Sequence, residues 1–176
     1  MSNKVLWLTG LSGSGKTTLS NSVKKRLIKQ KFRVKLVDGD SFRKKNKNKN
    51  IFTKKNIYSN NISIIDYVYR KKAKYDFIIV SVISPLLKSR LRAKKIFKKK
   101  YYEVFVKCSK RELINRDTKN LYKLALQKKI NNLIGFNSKI KYEPSRYKKL
   151  VINSELETVS HSTKKILNYI LDNEKI

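Results

Sequence analysis

Gly10-Leu11-Ser12-Gly13-Ser14-Gly15-Lys16-Thr17 is the stretch from which the rest of this sequence is read. Its spacing is that of a complete G-x-x-x-x-G-K-T phosphate loop. The apolar run Val5-Leu6-Trp7-Leu8 precedes it, and a helix-like stretch from Lys16 to Gln30 follows. A buried strand, a glycine-rich turn and a helix start are the context this pattern requires. Glycines let successive backbone N–H groups converge on phosphate oxygens, and the helix start adds the positive end of its dipole. The expected nucleotide cradle is Gly10, Leu11, Ser12, Gly13, Ser14, Gly15, Lys16, Thr17 and Thr18. Lys16 would reach the β/γ-phosphates of ATP, and the Thr17 hydroxyl would ligate Mg²⁺. A chance glycine-rich turn would not supply both flanks.

The chain has 176 residues, which suits one domain with a sizeable core. Lys and Arg number 44 against 12 Asp and Glu, a formal charge of +32. Such a surplus raises a nucleic-acid reading. Lysine far outnumbers arginine, asparagine is abundant as in Asn46-Lys47-Asn48-Lys49-Asn50, and the lysines are scattered. Coding bias toward A and T is therefore preferred over a specific nucleic-acid function, with non-specific attraction of anions as the expected consequence. The single Cys108 excludes an intrachain disulfide and a cysteine zinc site, and reads as a buried structural thiol. The lone His161 reads as a surface residue. With no signal-peptide pattern and no apolar run of membrane length, a cytoplasmic protein is expected, with a homodimer left open.

Strand-like and helix-like runs alternate along the chain. Expected strands are Lys4–Thr9, Val34–Asp38, Phe77–Ser84, Glu103–Cys108 and Leu150–Asn153. Their continuous Val, Ile and Phe content predicts burial on both faces. Expected helices are Lys16–Gln30, Lys55–Lys72, Pro85–Lys98, Lys110–Asp117, Leu121–Lys129 and Glu157–Asn173. The alternation predicts a three-layer α/β/α fold with a five-stranded parallel sheet, of the P-loop kinase type. Arg43–Asn50, nearly all Lys and Asn, is expected to be a solvated loop. Residues 117–148 are expected to form a helix and a mobile flap over the triphosphate, or an ordinary surface excursion.

The second strand ends in Asp38-Gly39-Asp40. Ligands collect at the carboxyl edge of such sheets, and the chemistry needs carboxylates there. One carboxylate can hold Mg²⁺ through water and the other can orient an acceptor hydroxyl and take its proton; Asp40 is preferred for the hydroxyl and Asp38 for the metal's water shell. A helix N-cap is the structural alternative for either residue.

Here the chain resembles the adenylylsulfate kinases, phosphate-loop enzymes that phosphorylate the 3′-hydroxyl of adenosine 5′-phosphosulfate. The stretch from Leu8 to Leu19 is similar to that family's phosphate loop almost letter for letter. Asp38-Gly39-Asp40 with Arg43 matches D-G-D-x-x-R. Phe52 and Asn60 fall where the family has the Phe of G-F-S and the Asn of D-R-x-x-N. Ile83-Ser84-Pro85 matches I-S-P, and Arg116-Asp117 with Lys119, Leu121 and Tyr122 matches R-D-x-K-G-L-Y. Gly135 and Tyr142-Glu143 match further on. The resemblance implies catalytic roles for Lys16, Asp38, Asp40 and Ser84. It implies acceptor contacts from Asp40, Arg43, Phe52, Asn60, Ile83, Ser84, Lys119 and the residue at Leu133, with Thr17 and Asp38 at the metal. Ser84 is read as a hydroxyl contact to phosphate rather than a covalent intermediate.

The departures cluster on the acceptor side. R-H-G-L is replaced by Arg43-Lys44-Lys45-Asn46, D-R by Asn56-Ile57, and the aromatic of F-T-G-I-D by Leu133. Each lost group matters physically, an arginine as a bidentate anion clamp and an aromatic as a stacking face. The expected function is an ATP-dependent kinase acting on adenosine 5′-phosphosulfate. The alternatives are the same chemistry on another nucleotide-activated molecule, such as a cytidine diphosphate conjugate, and a polynucleotide kinase.

Overall fold

The computed structural model describes residues 3–45, 53–147 and 149–171. Five strands form one sheet: β1 (Lys4–Thr9), β2 (Val34–Asp38), β3 (Phe77–Ser81), β4 (Tyr101–Lys107) and β5 (Leu150–Asn153). Their order across the sheet is β2-β3-β1-β4-β5, and every pair is parallel. The seven α-helices among the described residues are α1 (Lys16–Lys29), α2 (Gly39–Lys45), α3 (Lys54–Lys71), α4 (Leu87–Phe97), α5 (Lys110–Arg116), α6 (Leu121–Leu126) and α7 (Val159–Leu171).

Successive strand residues point to opposite faces, and both faces of this sheet are covered. Leu6, Leu8, Phe77, Ile79 and Val104 pack against Leu19, Val23 and Leu27 of α1 and Ile166 and Ile170 of α7. Val5, Trp7, Ile78 and Val80 pack against Ile64, Ile65 and Val68 of α3 and Ala93 and Phe97 of α4. That accounts for strands that read as continuous apolar runs. Each fully buried aliphatic side chain contributes about 1.5–3 kcal/mol. Lys4, itself buried, donates from Nζ to the Ile170 carbonyl at 2.7 Å and ties the start of β1 to α7. The three-layer α/β/α architecture and the five-stranded parallel sheet are those the sequence predicts.

The boundaries differ in ways that bear on the site. Strand β3 stops at Ser81 rather than Ser84, because Ser84 turns to φ +44° ahead of Pro85 and leaves the sheet. Strand β4 begins two residues earlier than expected, since Tyr101 and Tyr102 pair with Val5 and Leu6. It ends at Lys107, so Cys108 sits half-buried beside the flap cluster rather than inside the sheet. Burial still pushes its thiol pKa up, against the lowering effect of Arg116. His161 is exposed, as expected.

Residues 43–45, expected to be loop, are the end of helix α2. One local and one tertiary cause act. Asp38 Oδ1 accepts from Ser41 N at 2.9 Å, and Phe42 anchors the turn edge-to-face on Tyr67 at 5.5 Å. The remainder of that expected loop, residues 46–50, and Phe52 lie outside the described residues, as does the expected last turn of α7. No helix among the described residues is long and apolar enough to cross a membrane.

Candidate active site

Strand β1 is flanked by β3 on one side and β4 on the other, so the chain's path across the sheet reverses beside it. Ligands bind at such a switch point, outside the carboxyl ends of the strands. The phosphate loop leaves β1 there. At Gly10 a Cβ would lie 2.4 Å from the Val106 carbonyl oxygen, so only glycine lets the loop pass β4. Gly15 caps α1 in the left-handed region at φ +88°.

Lys16 is buried, and its Nζ donates to the Leu11 carbonyl at 2.6 Å, with Ser14 Oγ at 3.4 Å. Its pKa is lowered to about 7, mainly by burial and then by the like charge of Lys119, while Asp40 and Asp38 act in the opposite sense. A phosphate beside this amine would supply the counter-charge that the neutral Leu11 carbonyl lacks. Thr17 and Thr18, in the first turn of α1, are exposed.

Asp38 caps the first turn of α2 through Oδ1, as the structural alternative had it. Among the described residues its other oxygen carries no hydrogen bond. Asp40 is half-exposed and faces the flap. Lys119 Nζ lies 2.5 Å from its Oδ2, and Arg43 lies 3.9 Å from its Oδ1. Burial works to raise its pKa, but the Lys119 bond and charge, with Arg43 and Lys16, bring it below the usual value. Asp40 is therefore ionised at neutral pH and next to the phosphate-loop lysine.

Thr17 and Asp38 could hold a cation together with water. Among the described residues no group of three His, Cys, Asp or Glu could do so alone. A hydroxyl and a carboxylate with room for water suit Mg²⁺, which dehydrates reluctantly and takes few protein ligands.

Ile83 and Ser84 are fixed from two sides. Thr9 Oγ1 donates to the Ile83 carbonyl at 2.5 Å, and Arg90 Nη1 donates to the Ser84 carbonyl. Ser84 is buried, with Oγ 3.3 Å from Ser89 Oγ. Its positive φ before a proline is a strained conformation held by these neighbours.

That hold belongs to a network that sequence reasoning missed. Arg90 is fully buried and lies 3.5 Å from the equally buried Glu103 on β4. Arg90 also donates to the Glu143 carbonyl and to Ser145 Oγ, while Ser145 Oγ and Tyr147 Oη donate to Glu103. Glu143 in turn accepts from Leu87 N at 2.6 Å at the start of α4. A carboxylate inside an apolar strand is a signal that a buried cation must exist. With 44 basic residues, the sequence cannot say which one.

The segment 117–148 lies on the phosphate loop. Asp117 accepts from Tyr122 N and Lys123 N at 3.0 and 2.8 Å, which fixes the start of α6. Tyr122 Oη then donates to the Ser12 carbonyl at 2.9 Å. Gly135, at φ +81°, packs so closely that a Cβ would lie 2.5 Å from Leu11 Cδ2. Leu133 is 6% exposed in a small cluster with Leu113, Tyr122 and Ala125, and so presents no open face. Phe136 lies edge-to-face on Tyr122 at 5.5 Å. On α3, Ile57 is half-buried, Lys54 and Lys55 are exposed, and Asn60 is buried with its Oδ1 unpaired. The structure thus gathers Lys16, Asp38, Asp40, Arg43 and Lys119 at one sheet edge.

Known proteins resemble this chain in sequence and in fold. The family profile described as adenylylsulphate kinase matches residues 2–153. A probable adenylyl-sulfate kinase of Aeropyrum pernix is 34% identical over 162 residues, spanning 90% of this chain and 87% of its own. The adenylyl-sulfate kinase of Oceanobacillus iheyensis is 34% identical over 175 residues, 98% of this chain and 86% of its own. The fold superposes with a TM-score of 0.84 on the Mycobacterium tuberculosis APS kinase CysC solved with AMPPNP and APS. That match is 24% identical and covers 95% of this chain and 96% of the other. With its phosphate loop after β1, its acidic pair at the end of β2 and the segment 117–148 packed on that loop, the chain belongs to the adenylylsulphate kinase family.

Proposed function

We propose that this chain transfers the γ-phosphoryl group of MgATP to the 3′-hydroxyl of adenosine 5′-phosphosulfate, giving 3′-phosphoadenylyl sulfate and ADP. The observation that carries this reading is Asp40, an ionised carboxylate held beside Lys16 by a flap lysine 79 residues away. The phosphate loop binds the β- and γ-phosphates, and Lys16 regains full charge against them. Thr17 and, through water, Asp38 would hold Mg²⁺, which would neutralise charge on the phosphates. Asp40 orients the acceptor hydroxyl and takes its proton as the oxygen–phosphorus bond forms and the bond to the β-phosphate oxygen breaks. Lys119 has the phosphates as its alternative partner, which frees Asp40 to act as base. The flap carries Tyr122 and Gly135 onto the loop and excludes water.

The acceptor's adenine needs an apolar or aromatic surface, and its sulfate end needs cations. Arg43, Lys54, Lys55 and Lys119 supply the cations, and Phe136 supplies a ring on the flap. The test is turnover with MgATP across adenylyl sulfate, a cytidine diphosphate conjugate and an oligonucleotide 5′-hydroxyl. Selective use of adenylyl sulfate is expected. Turnover of only one of the others would replace the acceptor while keeping the kinase.

A further inference from the structure

Ser81 is the last residue of β3 and is 4% exposed, yet its hydroxyl has no hydrogen-bond partner. A buried polar group is ordinarily paired, so an orphan at the edge of a binding site calls for a partner that arrives with the ligand. The sheet register fixes which way this hydroxyl points. Phe77 and Ile79 share a cluster with α1, whereas Ile78 and Val80 face α3 and α4. By alternation Ser81 points to the α1 face.

Its neighbours in the ladder are Leu8 on one side and Asp38 on the other. Leu8 immediately precedes the residue from which the phosphate loop springs, and Asp38 is the carboxylate assigned to the metal. Ser81 therefore stands between Asp38 and the phosphate loop, on the face where α1 begins. In phosphate-loop NTPases the metal is held by the loop hydroxyl and by a strand-end aspartate. This chain carries an uncharged hydroxyl on the strand next to β1.

We propose that Ser81 is a positioning residue of the magnesium site, its Oγ accepting a hydrogen bond from a metal-bound water held on the other side by Asp38. The inference rests on the MgATP reading above. A hydroxyl brings no charge, so its effect should fall on the magnesium-dependent part of nucleotide binding. Binding of the bare nucleotide should be untouched.

The experiment is calorimetric titration of the full chain with a non-hydrolysable ATP analogue, once with magnesium and once with EDTA, alongside the ligand-free Tm. In Ser81→Ala the tightening produced by magnesium should shrink about 3- to 10-fold, the worth of one hydrogen bond. The Kd in EDTA should stay the same. The ligand-free Tm should stay or rise, because the deleted hydroxyl has no partner to lose. An undiminished magnesium effect in Ser81→Ala would overturn the proposal. So would a lowered Tm with equal weakening in both conditions, which would mark a structural hydroxyl. If the unmodified protein showed no magnesium effect, the MgATP reading itself would fail, a result visible before any variant is made.

Discussion

The nucleotide side and the acceptor side of this site are built differently. Within the phosphate loop itself the chain bonds to its own carbonyls: Lys16 bonds Leu11 and Ser14, Ser14 N bonds the Leu11 carbonyl, and Tyr122 bonds Ser12. The loop is wedged between β4 at Gly10 and the flap at Gly135. On the acceptor side, the buried Asn60 of α3 keeps an unpaired side-chain oxygen, and Asp40 is held by the long side chains of Arg43 and Lys119. The difference follows from what each half must recognise. Phosphates are read by backbone N–H groups, whose placement is a matter of chain path. An acceptor is read by side chains, which stay incomplete until it arrives. The first half is therefore set by the path of the chain and easily recognised, and the second is where the sequence reading finds departures from the family pattern.

The seam between the halves should show the largest effect. Arg90→Met leaves Glu103 buried without its cation and frees Ser84 and residues 143–145 together. Urea denaturation should register a loss of about 3–5 kcal/mol, as for other broken buried pairs. A loss under about 1 kcal/mol, the range of exposed pairs, would mean that the network does not brace the scaffold.

Next is the nucleotide half. Lys16→Ala should lower kcat by about 10²–10³-fold while the protein stays folded, because charge on the transferred phosphoryl group loses its stabilising partner. Near-normal turnover in a folded variant would remove the kinase assignment. On the acceptor half, Asp40→Asn should lower kcat about 100-fold with KM for ATP unchanged. If ATP affinity fell instead, Asp40 would belong to the nucleotide side and the division drawn above would break.

The comparison also has a pH signature. The Lys16 pKa falls from 10.5 to about 7 on folding. Between those values the unfolded chain holds a proton that the folded one has lost, so this group's contribution to ligand-free stability grows as pH rises through that window. It is lost as pH falls through about 7. Nucleotide binding restores the charge and must take up a proton. Calorimetry at pH about 8, in buffers of different ionisation heat, should find uptake approaching one proton, since the amine is mostly neutral there. Zero uptake would mean a lysine already charged before phosphate arrives.

The smallest effect should come from restoring a family residue. Ile57→Arg places a permanent cation at the start of α3. It should lower KM for adenylyl sulfate about tenfold, the worth of one charged hydrogen bond, without changing KM for ATP. An unchanged KM would show that Lys54 or Lys55 already fills the role.

The phosphate loop, five strands and six of the helices were legible because each is a local pattern: fixed glycine spacing, apolar runs, or helical periodicity. Helix α2 was not, since Lys and Asn outnumber everything in residues 43–50; the Asp38 cap was open to a local reading, but the Phe42–Tyr67 contact depends on where α3 packs. Leu133 was legible as a departure, but its burial in the flap cluster was not, because that depends on where α6 docks.

Sequence by itself determined the nucleotide site, whose geometry follows from consecutive residues between one strand and one helix. It also determined the parallel sheet, because buried strands and crossover helices have their own periods. Only the tertiary structure decided what surrounds each of the basic residues singled out among the 44, and it added Arg90 to them. Arg90 lies fully buried beside Glu103, Lys119 reaches Asp40 from 79 residues away, and burial brings the Lys16 pKa down to about 7. Charge is uniform in the sequence. Its consequences depend on burial and on the partner across the fold, and neither is a local property of the chain.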